Sequence, residues 1–440
     1  MHQINFVYIT MDGGHNNAIR TAARMIRDEH DIQLNLGLYS MATLRSDADW
    51  ARFERDVLAA DVIFGGMIFG EDHVRPMERI LSQTDAPTCI ITSNPALIYQ
   101  TRLNNLSLKP PQEDEEPGLF KRWMNKLRPK KGKAEGQRQT TLFRNLTKLM
   151  KYVPGMMRDL HTFIAMHDYF VHSSPENLKR QMLLLIERYV PGFKGQVPVL
   201  DAIEYPDLAI YHPDAPNPFE TIDDYRAWRK SQGLPIANGV AGAWNGTAGL
   251  LTQRAIILSG NTTHLDHLIR DLEAQGIEAR TTYSALLDFR PAIETFLSGA
   301  DDLPKADVML NTMGFPLVGG PAGTRPEQAV EALHNMDVGY LDMIPLGFQR
   351  VEDWQSDSVG LNPMQVAMNI ALPELDGIAE PVIFGGPTHT NESFIALEPE
   401  QSQAAKRVSR RIRLKRKANA DKKLAVVLFN FPPNLGNAGT

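Results

Sequence analysis

The stretch from Thr247 to Ser284, TAGLLTQRAIILSGNTTHLDHLIRDLEAQGIEARTTYS, combines two kinds of apolar pattern and decides the fold class. Its middle carries apolar residues at helical spacing, which predicts a helix buried along Leu265, Leu268, Ile269 and Leu272. Gly276 is predicted to end that helix. AIILS, residues 255–259, is predicted as the strand before it and IEARTTYS as the strand after it. The stretch therefore predicts a β-α-β unit and an α/β fold with parallel strands.

The first hundred residues show the same alternation. Ile4–Thr10, IQLNLGLYS, VIFGGMIF and TCIITSN predict strands, and Ala18–Arg27 predicts a helix. A second helix is expected in DADWARFERDVLAAD, with Asp47 or Asp49 as its N-cap. Because these strands are apolar without alternation, we expect a parallel sheet covered on both faces. The outline is that of a doubly wound, flavodoxin-like domain.

Changes in composition divide the chain into four predicted parts. PPQEDEEPG begins a polar linker, and helical patterns such as NLKRQMLLLIERYV follow it before the α/β rhythm resumes. Leu424–Phe429 is predicted to be a buried strand that opens a further unit, cut short at Thr440. The parts are an N-terminal α/β domain (1–107), a linker with a basic loop and helices (108–192), a second, larger α/β domain (193–423) and the start of a truncated unit (424–440).

Charge and cysteine content limit the functional classes. The chain has 440 residues, a formal charge of −6 and one cysteine, Cys89, so a disulfide framework is excluded and a reducing, cytoplasmic location is expected. No signal peptide and no membrane span are predicted. Residues 121–151 contain eleven lysines or arginines and one acid, Glu135. This run predicts a solvated loop or a docking patch for an acidic partner or an anionic substrate; it lacks the aromatic spacing of a nucleic-acid platform.

Two glycine-rich loops follow predicted strands, where ligands of doubly wound folds collect. They are MGFPLVGGPAG, from Met313, and FPPNLGNAGT, from Phe431. Neither has the spacing of an ATP or dinucleotide site, and tight turns that need positive φ explain them equally well. The predicted substrate-binding residues are Gly314, Phe315, Gly319, Gly320, Asn434, Gly436, Asn437 and Thr440.

Histidines offer weaker candidates. His264 and His267 lie three apart on the predicted helix, but no cysteine or nearby Glu-x-x-His completes a zinc site, so no metal site is predicted. His15 follows the first strand, where helix capping and turn formation explain its neighbours equally well. No nucleophile elbow or triad pattern is present, and no catalytic residue is predicted.

Several motifs, taken in order, resemble one family. They are LYSMATL, GMIFGEDHV, GFPLVGGPAG, ALPELDGIAEPVIFGG (Ala371–Gly386) and LAVVLFNFPPNLGNAGT. Together they resemble the N-terminal portion of the large, porphyrin-binding H subunits of magnesium chelatases. The resemblance covers nearly the whole chain and is loosest between Lys121 and His172.

The resemblance implies insertion of Mg²⁺ into protoporphyrin IX on the way to chlorophyll or bacteriochlorophyll. Mg²⁺ is then a substrate. ATP is hydrolysed by a partner rather than bound here, and the partners are the two smaller chelatase subunits, of ATPase and integrin-domain type. The family's catalytic cleft is built largely by later domains, so the chain is expected to be a fragment that is inactive alone.

Two alternatives stay open. One is the large subunit of aerobic cobaltochelatase, a related family that acts on a corrin precursor. The other is a non-catalytic ligand-binding or regulatory module, because two α/β domains permit many functions.

Overall fold

The fold was analysed in a computed structural model of the chain. It describes residues 2–10, 13–40, 43–68, 71–92, 94–108, 155–234, 246–299, 304–320, 323–389 and 393–427. Two mixed sheets, each with helices on its faces, form two units, so the predicted α/β class is confirmed.

The first sheet has the strand order β2-β1-β3-β4-β5-β6. Its first four strands in that order are parallel, and the two short strands at the far edge are antiparallel. The strands are β1 (His2–Thr10), β2 (Ile32–Ser40), β3 (Val62–Gly66), β4 (Thr88–Ile91), β5 (Arg102–Leu103) and β6 (Leu106–Ser107). The helices between them are α1 (Asn16–His30), α2 (Asp47–Leu58), α3 (Glu71–Leu81) and α4 (Pro95–Ile98).

Two further helices, α5 (Met156–Val171) and α6 (Pro175–Tyr189), complete one face of this sheet. Their apolar side chains share a core with α1 and the strands. The Phe170 ring lies 5.7 Å from that of Phe64, and the Tyr8 hydroxyl donates to Gln181 Oε1 at 2.8 Å. The helical pattern of NLKRQMLLLIERYV is therefore confirmed by α6. A second helical pattern, TTLFRNLTKLMKYV, spans residues 140–153 and lies outside the described part. The boundaries between the four predicted parts stay predictions.

The second sheet has the order β13-β12-β11-β10-β8-β9-β7, with antiparallel strands at both edges. Its strands are β7 (Leu208–Tyr211), β8 (Gly246–Gln253), β9 (Ile277–Ser284), β10 (Val308–Asn311), β11 (Gly339–Pro345), β12 (Ala379–Gly386) and β13 (Ile395–Ala396). Its helices are α7 (Ile222–Ser231), α8 (Arg254–Leu258), α9 (Thr263–Ala274), α10 (Arg290–Phe296), α11 (Pro326–Met336), α12 (Val351–Ser356), α13 (Pro363–Val366), α14 (Leu372–Glu374) and α15 (Glu398–Arg416); a π-helical turn (Ala367–Ala371) lies between α13 and α14, and a 3₁₀ turn (Asn419–Asp421) follows α15.

The β-α-β prediction is right in its second half and wrong at its start. The four stripe residues of α9 are fully buried, and β9 begins after Gly276 as expected. AIILS is not a strand, because the chain leaves the sheet at Gln253 and residues 254–258 form α8. Arg254, nearly buried, donates to the carbonyl oxygens of Tyr205 and Pro206 and so holds this turn against the sheet edge. A short apolar run fits a helical turn as well as a strand, which is why pattern alone misplaced it.

Two smaller predictions are also corrected. Neither Asp47 nor Asp49 caps α2: Ser46 does, accepting from the Asp49 amide at 3.2 Å while the Asp49 carboxylate accepts from the Ser46 amide at 3.0 Å. The predicted strand at Leu424 is absent over residues 424–427, where Leu424 and Val427 are 90% and 91% exposed. An apolar run becomes a strand only beside a strand that completes its hydrogen bonds, and within the described residues this run has none.

Among the described residues, no helix is both long and apolar enough to cross a membrane.

Candidate functional site

The first predicted loop follows β10 and is described over residues 313–320 and 323, where the Leu317 and Gly319 amides donate to Asp376 Oδ2 and to the Leu287 carbonyl oxygen. Gly314, Gly319 and Gly320 have φ values of 75°, 89° and 60°, and Phe315 packs against the core, its ring 6.2 Å from that of Phe289. A Cβ at Gly314 would overlap the Asn369 amide, which donates to the Gly314 carbonyl oxygen. The structure thus brings these four predicted residues together at the carboxyl edge of the second sheet. Their role in substrate binding stays a prediction.

The second predicted loop lies outside the described residues. Asn434, Gly436, Asn437 and Thr440 therefore stay predictions as well.

Buried acids accompany the first loop, and sequence reasoning missed them. Asp342 on β11 and Asp376 after α14 are 1% and 2% exposed, and Tyr340 lies two residues before Asp342 on the same face of β11. Asp376 Oδ2 accepts from the Leu317 amide at 2.7 Å. Among the residues that the structure describes, no hydrogen-bond partner is found for Asp342 Oδ1, Asp376 Oδ1 or the Tyr340 hydroxyl. The available signal was an aspartate inside the apolar run GYLDMIPL.

The burial of these groups sets their protonation. Burial, with a smaller contribution from Glu374, raises the pKa of Asp342 to about 8. Burial also raises the pKa of Asp376 to about 6, although the Leu317 amide opposes this shift. A carboxyl group without a nearby cation is neutral in such surroundings, so Asp342 carries its proton at neutral pH and can donate it.

A groove of about 580 Å³ lies between the two units, along β2, the edge strand of the first sheet. We call it the inter-sheet groove. Both units contribute charged side chains, and the lining includes Leu36, Gly37 and Leu38 of β2. The charged groups are Arg20, Arg45, Arg52, Arg350, His389, Asp49, Asp56 and Asp353.

Arg45 spans the inter-sheet groove. It donates to the carbonyl oxygen of Phe348 at 2.8 Å and pairs with Asp353 at 3.3 Å. Asp353 also contacts His389 Nε2 at 3.1 Å, while Arg350 lies 3.1 Å from His389 Nδ1. Because the Arg350 guanidinium can only donate, His389 Nδ1 accepts its hydrogen bond. His389 Nε2 therefore carries the ring proton and donates a hydrogen bond to Asp353. The wall contributed by the second unit is thus held by a chain of bonded side chains.

The first unit's wall is also tied together. The Tyr39 hydroxyl donates to Asp56, and burial followed by this bond raises the pKa of Tyr39. The Arg52 guanidinium lies 5.5 Å from the centre of the Tyr39 ring. Hydrogen bonds from Ser46 lower the pKa of Asp49, so this carboxylate stays charged. Four arginines around one groove form a setting suited to a ligand that carries carboxylates, since guanidinium groups bind them bidentately.

The histidine pair does not form a metal site. His264 is buried between the rings of Phe384 and Phe394, each 4.9 Å away, and burial lowers its pKa to about 3. His267 is partly exposed, with Nδ1 2.9 Å from Gln401 Oε1. Within the described ranges, no group of three potential metal ligands lies close enough to hold an ion. His15 stacks on Phe170 at 5.2 Å, which is a packing contact.

The fold and the groove together define a two-unit α/β protein with a charged groove between its units. Comparison with known families specifies the class. The chain belongs to the CobN/Magnesium Chelatase family, whose model matches residues 167–440. A second model, a domain of unknown function (DUF3479), matches residues 5–164.

Individual relatives agree with that membership. The magnesium-chelatase H subunit of Rhodobacter capsulatus is 32% identical over 99% of this chain, and the chloroplastic magnesium-chelatase ChlH subunit of Oryza sativa subsp. indica is 29% identical over 100%. The aerobic cobaltochelatase CobN subunit of Sinorhizobium sp. is 28% identical over 44% of the chain and 15% of its own length. The chain spans 37% and 32% of the lengths of the first two relatives. Among solved structures, the catalytic subunit of cobaltochelatase from Mycobacterium tuberculosis aligns over 97% of this chain and 29% of its own, with 16% identity and a TM-score of 0.46.

Proposed function

We propose that this chain acts as part of the porphyrin-binding large subunit of a magnesium chelatase, in the ATP-dependent insertion of Mg²⁺ into protoporphyrin IX. The observation that carries the proposal is the extent of the match. Relatives named as magnesium-chelatase H subunits align over 99% and 100% of the chain, and the cobaltochelatase relative over 44%. In this proposal ATP is hydrolysed by partner subunits of the ATPase and integrin-domain type, and Mg²⁺ is a substrate.

The inter-sheet groove supports this function through its chemistry. Protoporphyrin IX carries two propionate carboxylates on an apolar ring, and the groove presents arginines from both units. Arg350 and Arg52 reach it from opposite walls, so two carboxylates on one ligand have cations on two sides. A ligand held this way is contacted by both units at once.

Finer assignments accompany the proposal. The parallel order β2-β1-β3-β4, with helices on both faces, supports a doubly wound, flavodoxin-like first unit. We expect a cytoplasmic location and no metal-insertion activity from this chain alone, because the reaction also needs the partner subunits.

Tryptophan fluorescence tests the proposed ligand. Trp50 and Trp354 adjoin groove-lining residues, whereas Trp228 packs against His212 at 4.8 Å in the second unit. Protoporphyrin IX should quench the emission saturably, and the Trp50→Phe/Trp354→Phe variant should lose more of the quenching than Trp228→Phe does. Binding of hydrogenobyrinic acid a,c-diamide in place of protoporphyrin would instead indicate the cobaltochelatase function. Binding of neither would leave a non-catalytic module.

A charge variant tests the site separately. Arg52→Gln/Arg350→Gln should weaken protoporphyrin binding about three- to tenfold, as expected for two partly exposed ionic contacts. Arg24→Gln/Arg27→Gln on α1 removes the same charge outside the groove lining and should change the affinity less than twofold. Equal affinities in both variants would place the porphyrin elsewhere without contradicting the function.

A further inference from the structure

Helix α15 carries a row of cations on its outward face. Lys406, Arg407, Arg410, Arg413 and Lys417, just past its end, are all exposed, and the spacing places them on one side of the helix. The opposite side packs into the core of the second unit through Ala404, Ala405, Val408 and Ile412. The helix is therefore fixed in the fold with its charged side outward.

Cations on the flanks of the same helix are already paired. Arg411 pairs with Glu380, Arg416 with Asp307 at 2.8 Å, and Lys415 donates to the Asp337 carbonyl oxygen at 2.8 Å. Lys406, Arg407, Arg410 and Lys417 form no ion pair within the part of the chain that the structure describes. Like charges three and four residues apart repel one another and weaken a helix, so this face has a cost that the described residues do not offset.

A groove lined by both apolar and polar side chains adjoins this basic face. Two neighbouring cavities of about 380 and 460 Å³ lie between α11 and α15 and share Leu333, His334, Val338 and Gly339. Arg411 lines one cavity and Lys415 the other, so the groove runs along the flank of α15. Val330 in its lining is 48% exposed, and Leu414 on α15 is 57% exposed. Apolar side chains thus stand beside unpaired cations on one continuous surface.

We propose that the α11–α15 groove and the basic face of α15 form a docking surface for an acidic protein segment with apolar anchor residues. The groove receives the apolar side chains, and the arginines and lysines pair with the carboxylates beside them. Charge complementarity selects this occupant, since the patch is strongly positive on a chain whose formal charge is −6.

Other polyanions fit the surface less well. A membrane-bound helix inserts its apolar face, but that face of α15 is buried in the core. Single-stranded nucleic acid binds through exposed aromatic side chains, and Tyr340, the phenol in the groove lining, is only 5% exposed.

The test uses the whole chain and a fluorescein-labelled amphipathic peptide of about 20 residues, built from Glu and Leu, with binding followed by anisotropy. Arg407→Gln/Arg410→Gln should weaken binding about three- to tenfold. The matched control, Lys194→Gln/Lys230→Gln, removes the same charge from exposed positions elsewhere and should change binding less than twofold. This control also accounts for the basic segment 121–151, which both variants keep.

Two further arms complete the test. Val330→Asp places a negative charge in the groove. It should weaken binding of the Glu/Leu peptide more than binding of a control peptide in which each Leu is replaced by Ser. The proposal is overturned if both double variants bind the Glu/Leu peptide equally well, or if Val330→Asp weakens binding of both peptides equally. It is also overturned if phosphatidylserine vesicles or poly(U) bind more tightly than the peptide and lose affinity in Arg407→Gln/Arg410→Gln.

Discussion

Arg45 and Asp353 lie 308 positions apart and form an ion pair, 3.3 Å long, that joins the two units across the inter-sheet groove. The Arg45 side chain is 44% exposed and that of Asp353 is 32% exposed, so solvent screens the pair. The hydrogen bond from Arg45 to Phe348 O adds a second link at the same point. Arg45 thus links the two groove walls through contacts that contribute little to overall stability.

Replacing Arg45 should loosen the groove without unfolding the protein. In Arg45→Met we expect the free energy of unfolding to fall by less than about 1 kcal/mol, because exposed pairs contribute little. Amide hydrogen exchange should become faster near Phe348 and Asp353, where the link is lost. Arg27→Met, which removes a surface pair with Asp28 on α1, is the control and should leave exchange near Phe348 unchanged. Identical exchange in both variants would show that Arg45 does not hold the wall.

Asp342 should make the protein less stable as pH rises. Its folded pKa is raised to about 8, above the ordinary value for an aspartate, so its stabilising contribution is full below pH 4 and is lost as pH rises through 8. Measured by urea unfolding at pH 5, 7 and 9, the free energy of unfolding of wild type should decline with pH by on the order of a few kcal/mol because of this residue, and Asp342→Asn should lack that decline. A parallel pH dependence in wild type and variant would mean that the carboxyl is not buried in its neutral form.

His264 should make the protein less stable as pH falls. Burial lowers its folded pKa to about 3, so its contribution is full above its ordinary pKa near 6.5 and is lost as pH falls from 6.5 towards 3. Between pH 7 and pH 5 this residue should lower the free energy of unfolding of wild type by about 2 kcal/mol. His264→Phe keeps an aromatic ring between Phe384 and Phe394 and should lack that loss when unfolding is measured at both pH values. The idea fails if the difference between wild type and variant is the same at pH 7 and pH 5.

Gly66 should not tolerate a larger side chain. A Cβ there would lie 2.8 Å from the Phe170 ring, because α5 packs directly on the end of β3. Gly66→Val should lower the free energy of unfolding by about 1–3 kcal/mol, as overpacking does. Gly347→Val is the matched control, because the space around that residue is open and its φ is not positive. Similar urea midpoints for the two variants would contradict the packing of α5 on the first sheet.

The strongest sequence predictions were those in which one local pattern has one structural solution. The stripe Leu265, Leu268, Ile269 and Leu272 is buried as predicted, because this spacing fits only a helix against a core. AIILS was misplaced because a run of four apolar residues fits two structures, and pattern alone does not show the distant contact of Arg254 that accompanies the helical turn. The apolar run from Leu424 failed for a related reason, since a strand needs a neighbour that its own sequence does not specify.

The candidate site was less predictable than the fold. The glycines of the first loop could be located because positive φ favours glycine, but the inter-sheet groove is made by residues such as Arg45 and Arg350 that lie far apart in sequence. Asp342 was missed because its consequence comes from burial, and one aspartate in an apolar run does not show whether a cation lies nearby.

The way α5 and α6 cover the first sheet has a consequence for biosynthesis. β1, at the amino terminus, lies inside its sheet, yet Tyr8 on this strand contacts Gln181 of α6, 173 positions later. Until the ribosome has released the chain through Tyr189, this face of the sheet is covered by α1 alone, and Phe64 and its neighbours are exposed to solvent and chaperones. A polypeptide that stops near residue 108 should therefore be recovered with bound chaperone, whereas one that continues past Tyr189 should leave it.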